Sequence, residues 1–454
     1  MIKISVIIPS RNSIPFYGEC MESVLQQTER DIEIIPVDAQ SDDGTWKMIT
    51  SFAKSDARVR PVCSERKSYG YQCNMGIRAA RGKYVAIVES DDYVNPNMYK
   101  RLFQAAEKEH LDWVKADFEF FVGLETKQRF FLHYPVLPSV KKKNYGQVLH
   151  LSQDPEMIFR DLNLWNGIYR RDFLEKKRIR FQETAGAAYQ DIGFVLQTLM
   201  AARRFMYLKE ASYCYRQDNQ MSSIYNPAGL RYVQDEFRYM VDFFEKNPGQ
   251  YDDFKGIVIK KLFGDLKGAY GRGPRFADME ETDRESLCKF QNFFREQYER
   301  LSIWERMEEQ LPVAVFMQLF LAALEQFDDF VHRERELIRS LRRDIVRIAA
   351  ENLVVIAGAG EWGSSLYAFL KNNGVDSVQA FCDNSPSMEG KEHMGLQVFA
   401  VAEACRRWKK AVFFVSASEY YHEIKGQLMH LGIQPQQVIR SPLIPLHEAL
   451  EERV

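Results

Sequence analysis

Glu89, Ser90, Asp91 and Asp92 stand together directly after the apolar run YVAIV at 84–88. Three carboxylates within four residues repel one another unless a cation offsets them. As hard oxygen ligands they suit Mg²⁺ or Mn²⁺, ions that take few protein ligands and share the rest of their shell with water and substrate phosphates. The plainer account is an acidic turn capping the next helix and closed by Asn95-Pro96. A second cluster, DAQSDDGT at 38–45, opens with Asp38 at the end of an apolar run. Ser41, Asp42 and Asp43 are suited to cap a helix starting at Thr45, and a carboxylate at a strand end can also accept from the base or ribose of a nucleotide. PSRN at 9–12 is the third polar strand end.

These side chains need elements to hold them. Short apolar runs at 4–8, 32–39, 59–63 and 84–89 alternate with helical spacing at 16–27, 45–54 and 71–80. Strand–helix alternation with short connections predicts an α/β fold with a mostly parallel sheet, whose ligands sit beyond the carboxyl ends of the strands. All three polar clusters fall at such ends. After residue 115 the alternation weakens: 118–136 reads as strands turning at Gly123, and 226–350 is helical, with breaks at 247–249, 271–274 and Pro312. A second α/β unit starts at LVVIAGAGEWG, 353–363.

The motifs SVIIPSRN, VDAQSDDGT and NMGIRAARGKYVAIVESDD keep an order and spacing, over about ninety residues, that resembles the family 2 glycosyltransferases of the A-type fold. SYGYQ (68–72), WNGIYRRDFLEKKRIRF (165–181), AAYQDIGF (187–194) and YRQDN (215–219) extend the likeness to about residue 225. They resemble a bacterial subgroup that builds cell-surface polysaccharides. The resemblance implies that Pro9, Arg11 and Asn74 lie on the nucleotide side, with Asp38 near a uridine. It implies that ESDD is the metal motif, with Glu89, Asp91 and Asp92 as its acids and the two aspartates as direct ligands. It places Asp191 as general base, with Gln190 beside it. An acceptor hydroxyl must lose its proton as the new bond forms, which suits a positioned carboxylate; an exposed helix N-cap is the alternative for Asp191. Three positions depart from the family pattern: Ala39 follows Asp38 where a second aspartate is usual, Cys73 replaces an arginine before Asn74, and Glu89 replaces the first aspartate of the metal motif.

Arg216 is suited to pair with a phosphate, and a segment containing Met221, Ser222 and Ser223 follows it. Trp165 has the shape to stack on an acceptor sugar, although burial is the commoner fate of such a ring. In the last unit Gly358, Gly360 and Gly363 follow a strand and open a helix, and Asp383 comes about twenty residues later, the context of a dinucleotide fingerprint. It resembles Rossmann-like domains attached to sugar-processing enzymes. Nucleotide or nucleotide-sugar binding there competes with a structural or docking role.

The chain of 454 residues suggests roughly three domains: a transferase domain at 1–225 (nucleotide-binding half 1–117, acceptor half 118–225), a helical region at 226–350 and a Rossmann-like domain at 351–454. Basic and acidic residues nearly cancel, 61 against 63, so nothing points to nucleic acid. Seven scattered cysteines without a C-x-x-C fit a reducing cytoplasm better than disulfides or zinc. MIKISVIIPS reads as a first strand rather than a leader, and the apolar stretch at 312–324 is shorter than the ~20 residues a bilayer span needs. The segment 327–348 is a basic amphipathic helix, suited either to bridging domains in water or to lying on anionic lipid at the inner face of a membrane. The expectation is a cytoplasmic, metal-dependent, inverting glycosyltransferase moving a sugar from a nucleotide donor, UDP-linked, to a glycan or lipid-linked acceptor. Its rivals are a nucleotidyl- or phosphotransferase using the same metal chemistry, and a catalytically degenerate nucleotide-sugar-binding scaffold suggested by Ala39 and Cys73.

Overall fold

The computed structural model describes residues 1–123, 129–137, 143–161, 163–219, 228–301, 311–386, 388–416, 421–441, 444 and 449, with backbone alone at 130 and 311–315. Met221, Ser222 and Ser223 lie outside the described residues. The chain divides into two compact units, one of Met1–Phe120 with His133–Val331, the other of Phe121–Leu132 with His332–Val454.

The first unit begins β1 (Ile4–Ser10), α1 (Ile14–Leu25), β2 (Ile32–Asp38), α2 (Thr45–Ser55), β3 (Val62–Cys63), α3 (Tyr69–Ala79) and β4 (Tyr84–Ile87). β1 pairs in parallel with both β2 and β4, and β2 with β3, giving the order β3-β2-β1-β4. Every residue of β1 and β2 is buried. That is why these strands read as continuous apolar runs rather than as an alternation. Strand order reverses between β1 and β4, so a crevice opens at their carboxyl ends.

The sheet continues antiparallel through β5 (Tyr93–Val94), β6 (Trp113–Val122), β7 (Phe130–Tyr134), β8 (Gly167–Arg170) and β9 (Phe205–Arg216). β8 pairs with both β4 and β6, and β9 brings Cys214 opposite Tyr93 of β5. Short helices α4 (Met98–Lys108), α5 (Met157–Arg160) and α6 (Arg171–Lys176) flank it, and α7 (Gln190–Ala201) carries Asp191 in its first turn. A buried ion pair of Lys115 with Asp161, 2.7 Å apart and joined by the Tyr207 hydroxyl, ties β6 to the chain before β8.

Among the described residues of this unit, α8 (Gly229–Lys246), α9 (Asp252–Arg272), α10 (Glu281–Glu299) and α11 (Leu311–Ala322) follow. α12 (Leu324–Glu351) comes next. Phe237, Phe263, Phe290, Phe294, Phe320 and Phe327 pack in one cluster with the sheet. The helical region therefore shares a core with the transferase part instead of standing apart. The units divide within α12 rather than at residue 350. Leu324, Phe327 and Val331 are buried in the first core, whereas Ile345 and Ala349 pack into the second.

The second unit contains β10 (Val354–Ala357), α13 (Glu361–Asn372), β11 (Val378–Asp383), β12 (Glu392–His393), β13 (Leu396–Ala400), α14 (Val401–Arg407), β14 (Val412–Val415), α15 (Tyr421–His430) and β15 (Val438–Arg440). Its sheet order is β12-β13-β11-β10-β14-β15, parallel except for β12 against β13. Without β12 this is the Rossmann order 3-2-1-4-5. No described helix is long and apolar enough to cross a membrane.

Candidate active site

A cleft of about 460 Å³ lies at the carboxyl ends of β1 and β4, and Pro9, Arg11, Glu89, Asp91, Gln190 and Asp191 all line it. The acidic turn after β4 and the distant Asp191 thus share one cavity, although about a hundred residues separate them in the chain. Local chemistry fixes each wall. The β1 loop is held from below by the second polar cluster: Asn12 Nδ2 donates to Asp42 Oδ1 at 2.9 Å, and Ile14 N donates to Asp43 Oδ2 at 2.9 Å. The hydroxyls of Ser13 and Ser90, 2.8 Å apart, link that loop to the acidic turn.

Within the turn the three acids part company. The Glu89 carboxylate accepts from the Tyr69 hydroxyl at 2.5 Å. Burial pushes it up to about 8; the Tyr69 bond opposes this, while Asp91 and Asp191 add to it. Asp91 faces the cleft and accepts from Asn219 Nδ2 at 2.7 Å. Burial raises it too. Asp92 turns inward, 1 % exposed, and accepts from the Tyr213 hydroxyl and the Arg216 amide, both at 2.7 Å. It does not line the cavity, so its carboxylate braces the turn instead of facing the cleft as expected.

Arg216 is likewise consumed. Its Nε donates to the Asp91 carbonyl at 2.8 Å and its guanidinium pairs with Glu19 and Asp218. It clamps the backbone of the acidic turn from behind, and its charge draws Asp91 down against the effect of burial. Asp38 is also buried, accepting from Ser41 N and the Ser41 hydroxyl at 2.9 and 2.5 Å. Asn74 exchanges hydrogen bonds with the Phe181 backbone at 2.9 and 3.0 Å. Neither residue lines the cleft; both hold its walls.

On the far side, Asp191 sits in the first turn of α7, where backbone N–H groups favour a negative charge. Burial outweighs them and pushes its carboxyl up to about 6. Gln190 anchors this turn, accepting from Gly70 N at 3.1 Å and donating to the Thr184 carbonyl at 2.7 Å. Trp165 is stacked between Tyr213 and Tyr215, centroids 4.2 and 5.0 Å away, and presents an edge to the cleft. Tyr69, Gln72, Tyr189 and Asn219 are among the lining residues that had no assigned role in the sequence. Gln72 Nε2 bridges the carbonyls of Ser10 and Val37, joining the ends of β1 and β2. Tyr69 and Gln72 fall inside the SYGYQ motif, which was the signal available.

Among the described residues no group of three or more His, Cys, Asp or Glu side chains is arranged to hold a metal ion. Glu89 and Asp91 nevertheless fit a hexacoordinate cation that needs one or two carboxylates and takes the remainder of its shell from water and phosphate. Burial is the main cause of the raised proton affinity of both.

In the second unit Gly358 turns with φ 110°, and a Cβ on Gly363 would come within 1.9 Å of the Gly358 carbonyl. Asp383 accepts from Ala359 N and Ser385 N, both at 2.8 Å. Gly360 opens α13 with free space around it.

A Rossmann-like half-sheet continued by antiparallel strands, with acids at the β4 end facing an acid on α7, is the organisation of an A-type glycosyltransferase. Residues 5–206 match the family model of glycosyl transferase family 2, and the chain belongs to that family. It is 32% identical over 246 residues to the uncharacterized glycosyltransferase EpsJ of Bacillus subtilis, covering 53% of this chain and 69% of that one. It is 26% identical over 231 residues to the poly(ribitol-phosphate) beta-N-acetylglucosaminyltransferase TarS of Staphylococcus aureus, covering 50% of this chain and 38% of TarS. The crystal structure of TarS 1–349 in complex with UDP-GlcNAc superposes with a TM-score of 0.57 at 17% identity, over 74% of this chain and 92% of that one, and shares its fold.

Proposed function

We propose that the chain is an inverting glycosyltransferase that takes a sugar from a UDP-linked donor and passes it to a hydroxyl of a cell-surface glycan or lipid-linked acceptor, with Asp191 as general base. The observation that carries this reading is the shared cleft: Glu89 and Asp91 on one wall, Asp191 on the other. In the reaction the anomeric C–O bond to the diphosphate breaks as the acceptor oxygen bonds to the opposite face of that carbon. The acceptor proton passes to Asp191, and UDP leaves. With its proton affinity raised only to about 6, Asp191 is mostly ionised at neutral pH and able to accept that proton. Glu89 and Asp91 would hold Mg²⁺ or Mn²⁺, whose charge stabilises the departing diphosphate. Pro9 and Arg11 line the same cavity on the side assigned to the donor.

Two further parts of the chain support subsidiary readings. Leu337, Ile338 and Leu341 are exposed on α12 beside Arg339 and Arg343, a surface suited to anionic lipid at the inner face of a membrane. The C-terminal unit is read as a structural or docking module, because Asp383 spends its carboxylate inside its own glycine turn.

The test is a panel of UDP-GlcNAc, UDP-glucose, UDP-galactose and GDP-mannose assayed with Mn²⁺. Release of UDP without UMP or pyrophosphate, lost with EDTA and in Asp191→Asn, is expected. Release of UMP would establish nucleotidyl transfer instead, and no turnover with Mn²⁺-independent UDP binding would leave a scaffold.

A further inference from the structure

Asp191 has to be aimed, and some of the residues that fix its turn come from outside the family-matched segment. Tyr189, directly before α7, adopts φ 65°, a left-handed conformation uncommon for a bulky residue and held only where its surroundings insist. Two later helices supply the insistence. The start of α8 packs on the Tyr189 ring, where a Cβ on Gly229 would lie 3.4 Å from Cε2. Arg272, at the end of α9, donates a hydrogen bond from its guanidinium to the Tyr189 hydroxyl. Glu236 of α8 reaches over α7 and accepts from Gly193 N at 3.2 Å. The approach is so close that a Cβ on residue 193 would fall 2.5 Å from its Oε2. Beside them on α9, Lys261 is buried and paired with Asp265 at 2.5–2.7 Å.

We propose that Arg272, acting through Tyr189, is a positioning residue for Asp191, so that α8 and α9 complete the active site of the family 2 domain. The inference rests on the reading of Asp191 as base. Arg272 fixes the strained residue that aims the carboxylate. Among the described residues, the charged and titratable groups around Asp191 are Glu89, Tyr69, Cys73 and Tyr215, Tyr189 beside it, Glu236 from α8, and Lys261 and Asp265 from α9. Burial raises Asp191, its backbone hydrogen bonds and then Lys261 draw it down, and Asp265 opposes them.

The experiment measures UDP release from the panel donor with the highest turnover, in Asp191→Asn, Tyr189→Phe, Arg272→Ala, Arg272→Lys and the Tyr189→Phe/Arg272→Ala double variant. Tyr189→Phe keeps the ring that packs on Gly229, so its fold is the safest. Expected is a fall in kcat of about tenfold in Tyr189→Phe and Arg272→Ala with donor KM within about twofold, the loss of one charge-assisted hydrogen bond. The double variant should be no worse than either single one, and Arg272→Lys should recover part of the rate. Wild-type kcat in these variants, alongside an inactive Asp191→Asn, would refute the positioning role and leave the base intact. Full turnover in Asp191→Asn would remove the base itself, and this inference with it.

Discussion

Replacing Asp191 by Asn should make the protein more stable while disabling it. The carboxyl is lifted from an ordinary value of 3.8 to about 6, with burial the main cause. A carboxyl that binds its proton more tightly folded than unfolded contributes stability only while protonated. The contribution is complete below the unfolded value and is lost as pH rises through about 6. At pH 7.5 the wild-type protein therefore carries a penalty of at most about 3 kcal/mol, from a shift of roughly two units at 1.36 kcal/mol each. Asn carries no charge to desolvate, but it forfeits the favourable position of an anion in the first turn of α7, worth about 0.3–1 kcal/mol. The net gain is about 2 kcal/mol at neutral pH. Urea unfolding followed by tryptophan fluorescence, with Trp113 and Trp165 buried in the first unit, measures it between pH 4.5 and 8. The gap between variant and wild type should widen up to pH 6 and then stay level, while transfer falls by about 10²-fold or more. A variant no more stable than wild type at pH 7.5, or a gap that ignores pH, would refute the account of a carboxylate kept in a desolvated wall for its chemistry.

The acidic turn should divide by direction of side chain: Glu89→Gln and Asp91→Asn should each weaken Mn²⁺-dependent UDP binding by about tenfold or more in calorimetry. Asp92→Asn should leave that dependence in place, because its carboxylate is held by the Tyr213 hydroxyl and the Arg216 amide rather than facing the cleft; the reverse pattern would overturn the assignment. In the C-terminal unit, Gly363→Ala should destabilise strongly through its collision with the Gly358 carbonyl, whereas Gly360→Ala, with open space and φ −95°, should change the melting behaviour little. Leu337→Glu with Leu341→Glu should abolish flotation with vesicles rich in anionic phospholipid; flotation that survives would exclude that face of α12 as the lipid contact.

Much of this architecture is visible in the chain because buried parallel strands announce themselves. Runs such as ISVII and YVAIV have no polar alternation to hide them, and each ends at a cluster of polar residues. The convergence of residues 9–12 and 89–91 follows from the strand order alone, once β1 and β4 are neighbours. Direction of side chain is what the sequence conceals. Asp91 and Asp92 are chemically identical neighbours, and only the return of β9, which brings Tyr213 and Arg216 alongside, turns one into the cleft and the other into the core. The same return spends Arg216, whose charge suggested a phosphate. Asn74 and Asp38 are hidden for a related reason: each is held by a partner from another segment or a tight local turn, Phe181 for one and Ser41 for the other. The boundary inside α12 is illegible because a helix of 28 residues keeps its period while its buried face passes from one core to the other.

The glycine fingerprint of the C-terminal unit shows how a motif can be right about structure and silent about ligand. Gly358 is required by its left-handed turn and by Ser416 Oγ, which a Cβ would meet at 2.7 Å. Gly363 is required by the passage of α13 across the end of β10. Both demands come from packing a helix onto a strand and would exist with no nucleotide at all. Asp383, the acid that a ribose would engage, already accepts from Ala359 N and Ser385 N in its own unit. Glu361, pushed up to about 7 by burial, is the first residue of α13, where a phosphate would need to approach. Only Gly360 has no packing reason to be glycine. Nucleotide recognition in this unit therefore turns on that one residue: if Gly360→Ala folds normally and abolishes binding of a nucleotide, the glycine is there for a ligand, and if binding is absent from the start, the fingerprint belongs to the fold.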